Sequence, residues 1–322
     1  MGVTQSTGQG ISQGPVLFVA GPTAIGKTEL ALNLAEKFGC EIIGVDSMQI
    51  YRYMDIGTAK PSPSERGRVP HHLIDYVLPD ETYSASRFVR DCQEAIRQIR
   101  AKGRLPLLVG GTGLYFAALE KGIFNLPAID PAIRQGLQEE LAVRGRDILL
   151  QELQECDPAS ADRIHTNDPY RLLRALEIWR AFGKPWSAYL AEHRAQNKPL
   201  PLAPILKIGL ARDRQELYQR IDQRVEAMTQ AGLVDEVQGL LQMGYRKDLP
   251  SMQSLGYRHL QHYLDGLWTW EQAVELLARD TRRYAKRQLT WFRADPEITW
   301  FHPAQEAELW TRVETFLTSN NT

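Results

Sequence analysis

Residues 16–35 constrain the fold of this chain more than any other stretch. An apolar run, Val16-Leu17-Phe18-Val19-Ala20, leads into Gly21-Pro22-Thr23-Ala24-Ile25-Gly26-Lys27-Thr28 and then Glu29-Leu30-Ala31-Leu32-Asn33-Leu34-Ala35. The first segment reads as a buried strand and the last as the opening turns of a helix. The octet between them fits G-x-x-x-x-G-K-[ST], and strand, glycine loop, helix is the context that pattern needs. Its glycines let successive backbone N–H groups turn inward at a helix N-terminus, where they form an anion nest. Lys27 adds a mobile positive charge, and Thr28 offers a hydroxyl to Mg²⁺, the expected cofactor. The loop therefore predicts binding of a di- or triphosphate. It does not say which molecule carries the phosphates, and ATP fits it as well as any other.

The pattern continues as an α/β fold. Further strands are expected at 41–47, 71–77, 105–109 and 205–210, with a helix over 84–102. Asp46 and Ser47 close the second strand, and Gly110-Gly111-Thr112-Gly113 follows the strand at 105–109. In an open parallel sheet, ligand groups gather at that edge. After Leu126-Pro127 the texture changes, and helical patterns dominate at 131–144, 147–155 and 168–182. Pro199, Pro201 and Pro204 mark the return to the core. The predicted class is α/β, a P-loop NTPase-like parallel sheet core with an inserted helical domain. The predicted organisation is a disordered polar tail at 1–14, a core of 15–127 plus 205–322, and a helical insertion at 128–204.

Composition narrows the setting. Cys40, Cys92 and Cys156 lie far apart, with no metal spacing and no disulfide framework, which suits a reducing cytoplasm. No apolar run reaches membrane-spanning length, and the N-terminal tail lacks the apolar core of a signal peptide. A monomer is the default expectation. The net charge of −1 hides a concentrated basic segment: Arg279 to Arg293 holds six basic residues and one acidic residue. Tyr284, Trp291 and Phe292 are interleaved with them, and basic residues with aromatics suit a phosphate backbone and splayed bases. The same segment also fits a solvated amphipathic helix with its aromatics in the core.

Individual residues remain open at this level. Asp46 is placed to hold Mg²⁺ or act as a general base, and equally to cap a turn. Thr112 could hydrogen-bond a ligand or sit in a turn that needs glycine for its own geometry. Arg171 and Arg174 share a helical face between packing leucines. His71 and His72 point to opposite sides of a strand with no ligand-spaced partner, so a structural role is expected.

Taken together, the motifs resemble the bacterial tRNA dimethylallyltransferase (tRNA isopentenyltransferase) family. The resemblance rests on Gly21 to Thr28, Val45 to Tyr51, Met54 to Pro61, Val109 to Tyr115, Asn167 to Glu177, Leu255 to Arg258 and Lys286 to Arg293, in family order across residues 15–300. The polar tail and Ile25 are the departures. The resemblance implies transfer of a dimethylallyl group from dimethylallyl diphosphate to N6 of the adenosine 3′-adjacent to the anticodon in tRNA. It implies that the loop Gly21, Pro22, Thr23, Ala24, Ile25, Gly26, Lys27, Thr28 holds the diphosphate, with Thr28 on Mg²⁺. Lys27, Asp46, Thr112 and Arg220 would be catalytic, Asp46 as the general base. The tRNA anticodon stem-loop would meet Asp46, Ser47, Met48, Gln49 and Thr112. In the insertion it would meet Arg134, Tyr170, Arg171, Leu172, Leu173 and Arg174, making that domain a clamp. Near the C-terminus it would meet Gln253, Gly256, Tyr257 and Arg258, then Lys286, Arg287, Gln288, Trp291 and Arg293. Two other readings share the loop: a nucleoside-kinase-type phosphotransferase, which has no need of the basic-aromatic segment, and an RNA-binding regulatory NTPase.

Overall fold

The computed structural model describes residues 14–122, 127–165, 167–196 and 204–320. All but Gly14 of the tail expected at 1–14 lies outside them. The chain divides into two compact units, residues 1–120 with 201–322, and residues 121–200.

The first unit is built on β1 (Val16–Ala20), α1 (Lys27–Phe38), β2 (Cys40–Val45), α2 (Pro63–Arg68), β3 (His71–His72), α3 (Ala85–Ala101), β4 (Leu105–Gly110) and α4 (Gly113–Lys121). Helices α5 (Pro131–Arg144), α6 (Arg146–Cys156), α7 (Pro158–Arg163), α8 (Pro169–Phe182) and α9 (Trp186–Gln196) make up the second unit. The first resumes with β5 (Ile205–Leu210), α10 (Arg214–Gln230), α11 (Leu233–Gln242), α12 (Tyr257–Leu264), α13 (Trp270–Arg293), β6 (Thr299–Phe301) and α14 (Glu306–Asn320). The six strands form one parallel sheet in the order β3-β2-β4-β1-β5-β6. This is the α/β architecture expected from the alternation of strands and helices.

Burial explains the order. All five residues of β1 are buried, as are all six of β2, so these strands have no solvent-exposed face and lie inside a sheet covered on both sides. The site grows from the carboxyl edge of that sheet, where β1, β2 and β4 release the glycine loop, Asp46 and Thr112.

Two strands differ from expectation. The strand expected at 71–77 pairs only at His71 and His72, because Leu73 and Asp75 take positive φ (58° and 56°) and break the extended run. The following backbone pairs instead with residues 49–51: Asp75 N–H donates to Gln49 O, and Tyr76 N–H to Ile50 O. Strand β6 was missed, since three residues carry no usable periodicity.

In the second unit, Leu137, Leu149, Leu153, Leu172, Leu173 and Leu176 form a core of their own. Asp130, Asp157 and Asp168 cap its helices, each carboxylate accepting a backbone N–H of the first turn.

The closest packing in the sheet is at the end of β4. A Cβ on Gly110 would lie 1.9 Å from the carbonyl oxygen of Val45, so only glycine lets β4 pass β2 there. Gly110→Ala is expected to lower stability by at least about 2 kcal/mol, measured by urea unfolding. An unchanged midpoint would show that the two strands can part.

Candidate active site

The glycine loop is tied down from three directions. Lys27 Nζ donates back to the carbonyls of Gly21 (2.9 Å) and Pro22 (2.7 Å). Arg212 Nε donates to Ile25 O (3.0 Å) and Arg220 Nε to Ala24 O (2.9 Å), so the far side of the loop is braced by the turn after β5 and by α10. The third tie is Gln288 of α13. Its Oε1 accepts from Thr23 N–H at 3.0 Å, and its Nε2 donates to Gly111 O at 2.9 Å. One side chain therefore couples the two glycine loops.

Positive charge gathers there without an anion to match it. Burial pushes the Lys27 ammonium down to about 7; Arg224 adds to the fall and Asp46 opposes it. The Arg224 guanidinium is also lowered by burial; Asp46 opposes the fall and Arg220 adds to it. Arg224 keeps part of its surface open to the site although protein surrounds it.

Asp46 stands where β2 ends. Its Oδ1 accepts from the N–H groups of Met48 (2.8 Å) and Gln49 (3.2 Å), which makes it a turn cap. Its other oxygen has no hydrogen-bond partner among the described residues. The turn-capping alternative holds for one oxygen, and the other is left without a partner. Thr112 Oγ1 accepts from Ser47 N–H at 3.1 Å, joining the end of β4 to this turn. The Tyr284 phenol is raised by burial and then by the charge of Asp46, while Arg287 and a hydrogen bond from Thr112 counter the rise.

A cavity of about 580 Å³ joins these groups. It is lined by residues 23–28, by Asp46 to Gln49, and by Arg220, Gln253, Arg258, Arg287 and Gln288, all from the sequence expectation. Arg224, Met228, Leu277, Thr281 and Tyr284 also line it and were missed. Leu277, Thr281, Tyr284 and Gln288 fall at helical spacing on one face of α13, a signal the sequence does contain. Only the chain's pairing of α10 with α13 shows that this face meets the loop.

Some residues expected at the RNA are packed instead. Leu172 and Leu173 belong to the core of the second unit, because they face inward on α8. Tyr257 is fully buried, its phenol donating to Glu236 Oε1 at 2.6 Å. Gly256 and Gln288 are buried as well. These five do not offer a surface to a polymer. Within the second unit, Arg134 and Arg174 both reach the Glu177 carboxylate (3.4 and 2.8 Å), Arg134 lies over the exposed Tyr170 ring, and Arg171 pairs with Asp168.

The basic segment is sorted by its partners. Arg279 and Arg283 pair with Asp280, as does Arg258, and Arg282 pairs with Asp222. Lys286, Arg287 and Arg293 are exposed and have no ion pair among the described residues. Trp291 is also exposed, with one edge of its ring against Gly113.

Elsewhere, His71 Nδ1 meets Val69 O and His72 Nε2 meets Glu41, both structural contacts. Among the described residues, the one group of three carboxylates close enough to share an ion is Glu120, Asp295 and Glu297, and Lys207 Nζ is already paired with each of them. No described helix is long and apolar enough to cross a membrane.

The IPP transferase family model matches residues 49–295. The chain belongs to the IPP transferase family, that of the tRNA dimethylallyltransferases. A tRNA dimethylallyltransferase of Desulfotalea psychrophila is 52% identical over 303 residues, covering 94% of this chain and 96% of that protein. The crystal structure of the full-length tRNA isopentenylpyrophosphate transferase of Bacillus halodurans is 39% identical, with a TM-score of 0.68 over 95% of this chain and 98% of that one. A eukaryotic dimethylallyltransferase described as acting on tRNA is 27% identical, with a TM-score of 0.76 over 95% of this chain and 80% of that one. The IPP transferases are enzymes, and the cavity is this member's candidate active site.

The lowered Lys27 has a measurable sign. Between about 7 and its ordinary 10.5 the unfolded lysine holds a proton that the folded, ligand-free one has lost. Stability should therefore rise with pH across that window. An anion in the loop should reverse the loss. Binding of inorganic pyrophosphate at about pH 8.5 is expected to take up close to one proton, read by calorimetry in buffers of different ionisation enthalpy. Lys27→Met should abolish the uptake; equal uptake in that variant would assign the proton to another group.

Proposed function

We propose that this chain transfers a dimethylallyl group from dimethylallyl diphosphate to N6 of the adenosine 3′-adjacent to the anticodon in tRNA, and that it does so in the cytoplasm. The observation that carries the reading is the content of one cavity. An under-neutralised cationic loop, an uncommitted carboxylate oxygen on Asp46 and an apolar wall that includes Val225, Met228 and Leu277 all line it.

The chemistry follows from those groups. As the allylic C–O bond breaks, the electron pair leaves with the diphosphate. The N–H groups of residues 24–28, Lys27, Arg220 and Arg224 are placed to stabilise that growing charge, the largest single effect such a site usually supplies. The apolar wall accommodates the five-carbon group and excludes water that would otherwise capture the allylic cation. The N6 lone pair is delocalised into the purine and attacks poorly until its proton is removed. The uncommitted oxygen of Asp46 takes that proton as the C–N bond forms.

The Thr28 hydroxyl has no partner among the described residues and fits a Mg²⁺ ion, which binds oxygen ligands and keeps substrate phosphates and water. Bound there, Mg²⁺ would supply further charge against the diphosphate. The RNA is met by Ser47 to Gln49, Gln253, Arg258, Lys286, Arg287, Trp291 and Arg293. In the helical unit it is met by Arg134, Tyr170, Arg171 and Arg174, which act as a clamp. These contacts offset the cost of swinging out the target base, about a few kcal/mol.

The test is incubation with Mg²⁺, dimethylallyl diphosphate and unmodified tRNA, followed by nucleoside mass measurement. An adenosine heavier by one five-carbon unit is expected, and ATP turnover without prenyl transfer would favour the kinase reading. Asp46→Asn, which keeps a turn-capping oxygen but cannot take the proton, should cut turnover by about 10²–10⁴-fold while sparing tRNA affinity. Near-normal turnover would remove Asp46 as the base. Arg287→Ala should weaken tRNA binding and reduce the slope of log affinity against log salt by about 1; an unchanged slope would place Arg287 off the RNA.

A further inference from the structure

Glu236, near the start of α11, is used in a way none of the motifs requires. One of its carboxylate oxygens accepts from the backbone N–H groups of Asp55 (2.8 Å) and Ile56 (2.7 Å). The other accepts from Gly57 N–H (3.0 Å) and the Tyr257 phenol (2.6 Å). Three consecutive backbone donors form an anion nest, and here a side chain of the protein itself fills it. The fit is tight. A Cβ on Gly57 would lie 2.5 Å from the Tyr257 ring, so Tyr257 seals the loop against α12 while donating to the same carboxylate. The four donors leave this carboxylate little freedom to move.

The next two residues of the loop act on the site. The carbonyls of Thr58 and Ala59 both accept from Gln49 Nε2, at 3.1 and 3.0 Å. A carbonyl oxygen can only accept, so this pair fixes which end of the carboxamide is nitrogen. The Gln49 backbone is held too, its N–H on Asp46 Oδ1 and its carbonyl taking Asp75 N–H. Gln49 Oε1 has no partner among the described residues, and Gln49 lines the cavity beside Asp46. With both amide hydrogens committed, that oxygen is the only polar side-chain atom Gln49 can offer a ligand.

We propose that Glu236 is a positioning residue: by pinning residues 55–57 it holds the two carbonyls that lock the Gln49 carboxamide, so that Gln49 Oε1 stands as a fixed acceptor for the second hydrogen of the substrate's exocyclic amine. The inference rests on the reading of an adenosine amine as the nucleophile. That amine has two N–H bonds. Asp46 takes one proton, and Gln49 accepts the other hydrogen, orienting the lone pair. A 6-oxo purine presents an oxygen at the same point, opposite two acceptors, and leaves all of them unsatisfied. The pinned loop therefore makes the site select an amino purine over an oxo purine. If the loop relaxes, the carboxamide can turn over and donate, and the selection fades.

The test compares anticodon stem-loops carrying adenosine or inosine at the target position. Binding is measured by equilibrium titration with inorganic pyrophosphate in the loop. The wild-type protein should prefer adenosine by about tenfold or more. Glu236→Gln puts an NH₂ among four donors and should bring the ratio close to one and lower the unfolding temperature, with pyrophosphate affinity kept. Gln49→Leu should do the same, and the double variant should lose no more than Gln49→Leu alone, the signature of one residue acting through the other. Tyr257→Phe keeps the ring on Gly57 but removes a donor, so the ratio should fall in the same direction. It decides the matter if Glu236→Gln does not fold. A wild-type ratio in the folded variants overturns the inference. So does a wild-type protein that prenylates the adenosine stem-loop yet binds both equally, and that result leaves the proposed function standing. A wild-type protein with no prenyl transfer removes the proposed function and this inference with it.

Discussion

Positive charge gathered at one glycine loop, beyond what Asp46 offsets, is the constraint on which the site depends. Lys27 and Arg220 donate to the carbonyls of Gly21, Pro22 and Ala24 in one glycine loop, and Arg224 lines the same cavity. Burial, and then the charge of Arg224, is why the Lys27 proton is so weakly held, with Asp46 offsetting the fall only in part. An anion bound at the loop would complete the arrangement. The contrast with Lys207 is instructive. That lysine is also largely buried, but three carboxylates surround it and outweigh the cost of burial, so its proton is held more tightly than usual. One cation is structural because its partners are built in. The other has no such set of carboxylates around it.

Much of this was legible in the sequence, for identifiable reasons. The glycine loop carries its own local geometry, so eight residues suffice to read it. Asp46 and Thr112 were readable because parallel strands deliver ligand groups at one edge of the sheet. Arg224 and Tyr284 were not. They face the loop only because α10 and α13 pack beside it, and no spacing within either helix records which helix it will meet. Residues carried over by motif show the opposite failure. Leu172, Leu173 and Tyr257 sit inside segments that resemble the family, but a motif does not separate the side chains that pack from those that meet a ligand. The strand expected at 71–77 failed on backbone conformation, at Leu73 and Asp75, where the residue types give no warning of positive φ.

The basic segment shows how a charge count becomes a surface. Six cations within fifteen residues look like one patch in the sequence. In the fold, Asp280 and Asp222 claim three of them, and Lys286, Arg287 and Arg293 stay open. The acidic residue inside the run, easily read as dilution, in fact sorts the run by gathering arginines from two helices.

Gln288 gives the order of assembly. Its carboxamide joins Thr23 to Gly111, and the residues it bridges lie 265 and 177 positions away along the chain. During synthesis the phosphate-binding loop leaves the ribosome early, while the side chain that clamps it follows only near the end. Until then the nascent loop has its glycines and its lysine but not its brace. The loop and the side chain that braces it are thus contributed by widely separated parts of the chain, and the braced loop exists only once both have folded together.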